Sequence, residues 1–398
     1  MTTHVLIADA LEPEAFADVE ALGVKIDFRP ELTGDALADA ITGVKILVVR
    51  STKVTKEIIE RADKLALIVR AGSGYNNIDV KGASAQGIFV ANCPGRNSIA
   101  VAELAMGLIL SLDRRIADNV SDLRRGKWNK KVYSKARGLK GQRLGLVGFG
   151  AIAQGLAKRA LAFEMEVCAY SRSLTEETAI AHGVSRATSL ERLFSKCDIV
   201  SLHLPLTDKT RGLVTQELLS LMPDAAMLIN TARAEIVDSE ALLTAVKGGH
   251  IRLGTDLFEN EPAVKQGDFV DELAALPNVV GTHHIGASTA QAQAAIAAAT
   301  VQIVHRFIAV GEVLNPVNMS QTRETAGTLV VRHLDHVGVL ASVLDRLRRA
   351  EINVQAMENL VFDGGAAACA RIQLEQWPTK ETLAEIAQSE HVIHVEVV

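Results

Sequence analysis

The chain has 398 residues, 48% hydrophobic and 22% charged, with a formal net charge of −5. That length suggests two or three domains at roughly 100–200 residues each, and the acidic balance excludes bulk binding to nucleic acid or an anionic membrane surface. Aromatic residues make up only 4%, so Ala, Val, Leu and Ile have to build the core. The start of the chain enters a strand-like run directly, without the basic segment and apolar block of an export signal. No uninterrupted apolar run reaches the ~18 residues of a membrane helix. The cysteines Cys93, Cys168, Cys197 and Cys369 are too scattered in sequence for a metal motif. Together these features lead us to expect a cytoplasmic protein with reduced thiols and no metal.

Strands are predicted at 4–8, 45–49, 65–69 and 88–92, followed by a helix over 98–116, where Val101, Leu104, Ala105, Leu108 and Leu112 recur at helical spacing. Then come a strand (143–148), a helix (152–163), a strand (166–170), a helix (190–195), strands at 198–203 and 226–230, a helix (239–247), and strands at 252–256 and 279–282. The Ala-rich stretch 287–310 carries Gln291, Gln293, Gln302, His305 and Arg306 and reads as a packing helix. Such alternation implies parallel sheets covered by helices on both faces. Residues 315–327 are polar and aperiodic, contain Pro316, and read as a linker. Beyond them the pattern is β-α-β-β-α-β, the order of a ferredoxin-like domain. The predicted fold class is therefore α/β: two doubly wound Rossmann-like domains plus a C-terminal ferredoxin-like domain.

Arg143-Leu-Gly-Leu-Val-Gly148-Phe-Gly150-Ala151-Ile152-Ala153 leaves a strand and opens a helix. Glycines there permit a tight turn and close approach of a dinucleotide pyrophosphate to the helix N-terminus. The following strand should end in a carboxylate for the ribose hydroxyls of NAD. It ends instead in Tyr170-Ser171-Arg172, and Ser171 with Arg172 suits a 2′-phosphate, which points toward NADP with NAD as the alternative.

Arg233, Glu261 and His284 lie at or just beyond the ends of later strands, where open α/β sheets place ligands. Singly, each also suits an ordinary surface or structural role. Jointly, with Arg70-Ala-Gly-Ser-Gly-Tyr-Asn-Asn-Ile-Asp79, Asn92-Cys-Pro-Gly-Arg-Asn97 and His203-Leu-Pro205-Leu-Thr, they resemble the D-isomer-specific 2-hydroxyacid dehydrogenase family over residues 44–316. The resemblance implies His284 as acid/base, Glu261 as its partner and Arg233 as the substrate-carboxylate ligand. It implies Gly148, Gly150, Ala151, Ile152, Ala153, Ser171, Arg172, His203, Thr231, Ala232 and Asp256 around the cofactor. It implies Ser73, Gly74 and Asn97 around the substrate. Three positions depart from the family pattern: Ala234 stands where glycine is usual, Ala151 where arginine is common, and His283 where proline is usual. His283 makes the choice of base ambiguous; His284 keeps the following Ile-Gly and is preferred.

Within the family, Arg50-Ser51-Thr-Lys53 and the basic run 124–133 resemble the phosphoglycerate dehydrogenase subgroup, which implies Arg50, Ser51 and Lys53 at a substrate phosphate. Asp335–Val343 and Asn353 resemble amino-acid-sensing ACT domains, which implies His333, Asp335 and Asn353 as effector ligands and L-serine as a candidate effector. The implied division is a substrate domain at 1–97 and 285–316, a dinucleotide domain at 98–284, a linker at 317–327 and a regulatory domain at 328–398, in a homodimer or homotetramer. Two other readings remain open: a glyoxylate or hydroxypyruvate reductase, and an NAD(H)-sensing corepressor-like binding protein.

Overall fold

The structure is a computed structural model describing residues 3–11, 16–262, 266–319 and 325–398. The chain divides into two compact units, Met1–Asn318 and Met319–Val398.

In the first unit, β1 (His4–Ile7), β2 (Lys25–Phe28), β3 (Ile46–Val49), β4 (Leu67–Arg70) and β5 (Phe89–Asn92) form a sheet of order β2-β1-β3-β4-β5. All its pairings are parallel. The strands are continuous Val/Ile/Leu runs because both faces are covered. Along β3, Leu47 and Val49 enter one core, and Ile46 and Val48 enter the other. Helix Ala290–Val310 is long and apolar enough to cross a membrane by length and composition. It packs instead on this sheet, burying Ile296, Ala299, Ile303 and Val304.

The second sheet contains β6 (Arg143–Val147), β7 (Glu166–Tyr170), β8 (Ser185–Arg186), β9 (Ile199–Leu202), β10 (Ala226–Asn230), β11 (Ile251–Thr255) and β12 (Val279–Gly281). Its order is β12-β11-β10-β9-β6-β7-β8, again all parallel. From β6 the chain winds outward to β8, then returns to β9 on the other side of β6. That reversal opens a crevice at the strand ends, the usual ligand position of such sheets. Helix Ser98–Arg114 seats Ala105, Leu108, Ile109 and Leu112 in this core.

The predicted elements recur with ends shifted by at most two residues, except that the helix over 287–310 begins at Ala290; the helix predicted to 116 stops at Arg114. Arg115 is left-handed (φ 51°) and turns the chain into a separate helix, Ile116–Arg124. Gly145 in β6 pairs with Cys168 across the ladder and leaves room for Cys197: a Cβ there would lie 2.9 Å from the Cys197 sulfur. The two thiols act on each other, which pulls Cys168 below the usual thiol value and pushes Cys197 above it. Cysteines scattered in sequence are thus paired in space.

In the second unit, β13 (Gly327–Leu334), β14 (Val354–Val361), β15 (Ala367–Leu374) and β16 (Val392–Val397) form an antiparallel sheet of order β14-β15-β13-β16. Helices Val339–Arg349 and Lys380–Ala387 supply Val343, Leu347 and Ile386 to a core with Leu329, Val331 and Ile372. The β-α-β-β-α-β order is the one read from the sequence. The expected linker needs correction at both ends. Pro316 bridges to Ala91, Val317 N–H donates to Val90 C=O, and Asn318 Oδ1 accepts from Val90 N–H. The polar segment thus satisfies the free edge of β5, which its lack of periodicity hid. At the other end Gly327 already belongs to β13; residues 320–324 lie outside the described residues.

Candidate active site

The crevice of the second sheet opens where β6 ends in the glycine turn. Gly148 has φ +92°, and a Cβ there would sit 2.3 Å from the His203 carbonyl oxygen. Glycine is therefore required by both backbone sign and space. Gly150 caps helix Ala151–Ala162, and nothing lies within 4 Å of where its Cβ would be. The helix N-terminus is thus approachable by a phosphate. His203 turns its ring inward to Ser201 (2.9 Å), and burial lowers it to about 4. Its backbone rather than a charged ring borders the turn. Ser171 and Arg172 follow β7; the Ser171 hydroxyl lies 3.4 Å from that of Ser173, and Arg172 is exposed. Beyond β10, the Thr231 hydroxyl is buried without a partner. A bare, glycine-lined helix start with an orphaned hydroxyl nearby fits a dinucleotide.

Asn230 shapes the turn that presents Arg233: its Oδ1 accepts from Ala232 N–H and its Nδ2 donates to Arg233 C=O. Arg233 then reaches across to the first sheet, donating to Asn76 Oδ1 at 3.2 Å and passing over Gly74. A Cβ on Gly74 would stand 2.1 Å from that guanidinium. Burial lowers Arg233, with Glu235 and Glu261 opposing the shift.

Glu261 follows β11 and His284 follows β12: His284 Nδ1 lies 2.8 Å from Glu261 Oε2, and Phe258 N–H donates to Glu261 Oε1 at 3.0 Å. Burial alone would raise Glu261; the bonds from His284 and Phe258 outweigh it and hold the carboxyl below its usual range. His284 sits in the left-handed region (φ 52°), an uncommon conformation for a non-glycine residue that recurs at functional sites. His283 is exposed and shares no such bond. Asp256, expected beside the cofactor, is only 2% exposed. Its carboxylate accepts from Thr282 Oγ1, Ile285 N–H and Gly286 N–H. It therefore fastens the loop carrying His284.

On the facing sheet, Ser73 Oγ donates to Asn97 Oδ1 at 2.8 Å, bringing those two expected residues together. Ser51 was expected at the substrate, yet its hydroxyl donates to Asp9 at 2.9 Å. Lys53 is exposed. Arg70, quoted in a motif but given no role, is the residue the sequence reading missed. It ends β4 beside Gly72, where a Cβ would strike its guanidinium at 1.6 Å. Its Nε is buried without a partner. Burial first, then the charges of Arg233 and Arg50, pull it down to about 10. Arg70 thus feels the positive charges of both Arg50 and Arg233 at the strand ends. The signal available in sequence was an arginine closing an apolar strand just before a glycine-rich turn.

The expected effector residues do not meet within one copy. His333 is 1% exposed and bonds Leu334 C=O and Asn359. Asn353 precedes the start of β14, which aligns through Leu374 with Gly327, whereas Asp335 follows Leu334 at the far end of β13. At ~3.3 Å per residue they stand roughly 25 Å apart.

Residues 106–286 match the family model described as D-isomer specific 2-hydroxyacid dehydrogenase, NAD binding domain. The chain is 43% identical over 312 residues to a hydroxypyruvate reductase of Thermotoga maritima, covering 77% of this chain and 99% of that protein. It is 38% identical over 347 residues to a D-3-phosphoglycerate dehydrogenase of Methanocaldococcus jannaschii, covering 83% of this chain but only 65% of that protein's length. A solved NAD+-bound 3-phosphoglycerate dehydrogenase of Entamoeba histolytica superposes with TM-score 0.67 at 27% identity, covering 80% of this chain and 99% of that one. With the glycine turn, the Glu261–His284 pair and the crossing Arg233 already in place, these matches show that the chain belongs to the D-isomer-specific 2-hydroxyacid dehydrogenase family.

Proposed function

We propose that this protein interconverts a phosphorylated D-2-hydroxyacid and its 2-oxoacid with NAD(P), the 3-phosphoglycerate/3-phosphohydroxypyruvate pair above all. The observation that carries the reading is the cluster of Arg50, Arg70 and Arg233. Arg70, with a buried unpartnered Nε, lies within reach of the charges of Arg50 and Arg233, and an anion placed there offsets that repulsion. A monoanionic 2-oxoacid engages Arg233 and leaves the other two unmatched, whereas a second, phosphoryl charge matches them.

When bound, the nicotinamide carries the hydride. His284, with Nδ1 engaged by Glu261, leaves Nε2 to take the hydroxyl proton in oxidation and return it in reduction. Glu261, kept ionised, fixes the orientation of the ring through that bond. Arg233 anchors the carboxylate and polarises the carbonyl oxygen. The substrate half (1–97 with 285–316) and the cofactor half (98–284) supply opposite walls of this site.

Oligomerisation follows from the helix Ile116–Arg124, which buries none of its residues and exposes Ile116, Val120 and Leu123 along one face with Trp128 beyond. That stripe suits a second copy in a homodimer. The second unit reads as a ferredoxin-like, ACT-like sensor; because Asp335 and Asn353 lie at opposite ends of its sheet, a shared L-serine site takes two copies. A non-phosphorylated substrate is the second reading, favoured by the near-full-length match to the hydroxypyruvate reductase. The decisive experiment measures kcat/KM for phosphohydroxypyruvate, hydroxypyruvate and glyoxylate with NADH and NADPH. A clear preference for phosphohydroxypyruvate is expected; equal or better use of hydroxypyruvate replaces the first reading with the second.

A further inference from the structure

The first sheet also has a topological reversal, between β1 and β3, and open α/β sheets leave a ligand crevice at such a point. Here the chain itself fills it. Asp9, just past β1 and only 4% exposed, directs its carboxylate at the turn after β3. Oδ2 accepts from the N–H groups of Arg50 (2.7 Å), Ser51 (3.1 Å) and Thr52 (3.0 Å), and Oδ1 accepts from the Ser51 hydroxyl (2.9 Å). Successive backbone N–H groups converging on one point form an anion-binding nest. With its nest already taken, this turn offers the cleft the Arg50 side chain in place of its amides.

We propose that Asp9 is a positioning residue that sets the selectivity of the anion subsite, an inference that rests on the phosphorylated-substrate reading above. By holding the backbone of Arg50–Thr52 it fixes the origin of the Arg50 side chain opposite Arg70. It is also the carboxylate whose charge opposes the lowering of both arginines. Two consequences of its loss pull in opposite directions. Without the carboxylate the cluster is more positive, which favours an anion; without the four hydrogen bonds the turn is free to shift, which misplaces Arg50. The second wins because a bidentate guanidinium–phosphate contact depends on geometry within fractions of an ångström, whereas the gain in potential reaches a cleft open to water.

The test uses the full-length protein and two 2-oxoacids that differ only in a phosphoryl group, phosphohydroxypyruvate and hydroxypyruvate. In Asp9→Ala, which removes all four bonds, the KM for phosphohydroxypyruvate should rise at least about 10-fold, its kcat should change less than about threefold, and the KM for hydroxypyruvate should rise several-fold less. Asp9→Glu keeps the charge but displaces it by a methylene, and should behave like Asp9→Ala; wild-type behaviour of Asp9→Glu overturns positioning in favour of charge alone. Ser51→Ala removes one of the four bonds and should shift the same ratio less, which keeps the test open if the Asp9 variants do not fold. Equal changes for both substrates in Asp9→Ala, or a fall in KM, also overturn the proposal while leaving the substrate reading intact. A wild-type enzyme indifferent to the phosphoryl group overturns the substrate reading, and this inference with it.

Discussion

His284 shows at single-residue scale how chemistry and strain coincide. Its φ of 52° is tolerated where neighbouring bonds over-determine it, and Glu261 together with the His284 N–H bond to Asp256 C=O supplies that constraint. Asn is the replacement that best tolerates this backbone conformation, so His284→Asn tests the proton role with little added strain. We expect kcat to fall by about 10²–10⁴-fold with cofactor affinity nearly kept. His283→Asn, at an exposed position without that partner, should be far milder; the reverse ranking in steady-state kinetics would make His283 the base. Arg70 yields a pH prediction. Its folded-state value is lowered to about 10, so the guanidinium is charged below that pH and loses its charge as pH rises through it. The kcat/KM for an anionic substrate should therefore fall across pH ~9–11, reporting the free enzyme. Arg70→Gln should start lower and lose that limb; a variant whose profile keeps the limb would assign it to another group.

Between strand and loop, we expect the end of β7 to set cofactor preference. The strand stops at Tyr170, and Ser171 C=O accepts from Leu174 N–H to shape the turn that exposes Arg172. No carboxylate stands there for ribose hydroxyls, and a free guanidinium suits a 2′-phosphate. Ser171→Asp combined with Arg172→Pro should raise the NAD/NADP ratio of kcat/KM. A wild-type protein that already strongly prefers NAD would remove the premise. Other elements show where pattern reading stops. The periodicity of 98–116 is real, but an αL residue at Arg115 divides one predicted helix into two without disturbing the apolar spacing.

For the whole molecule, the two units carry separate cores. All three proposed catalytic residues lie in the first. Ending the chain after Asn318 should leave turnover within a few-fold, because Val317 and Asn318 still close the edge of β5. It should abolish any response to L-serine, which we expect in the full-length protein as a rate change with a coupling of about 1–3 kcal/mol. A full-length protein unresponsive to serine and other amino acids in both rate and binding would make the second unit an assembly device.

Local physics wrote much of this architecture into the sequence. Short continuous apolar runs named most strands, and period-3.6 patterns the longer helices packed on them, because burial on both faces or along one stripe demands them. Gly148 and Gly150 announced the dinucleotide turn: backbone sign and the nearby His203 carbonyl require glycine at Gly148, and the bare helix start at Gly150 is left open to a phosphate. Arg233, Glu261 and His284 were legible through strand ends and a family resemblance. Tertiary structure alone decided which polar groups face one another, because hydrogen bonds and charges act through space between segments far apart in the chain. It gave Asp256 to the His284 loop, Ser51 to Asp9, and Arg70 to the surroundings of Arg50 and Arg233. It drew Cys168 to Cys197 and tied Asn318 to β5. It also set His333 in a buried sheet and left Asp335 and Asn353 apart, since a ladder register, which no single strand encodes, determines the distance between residues on different strands.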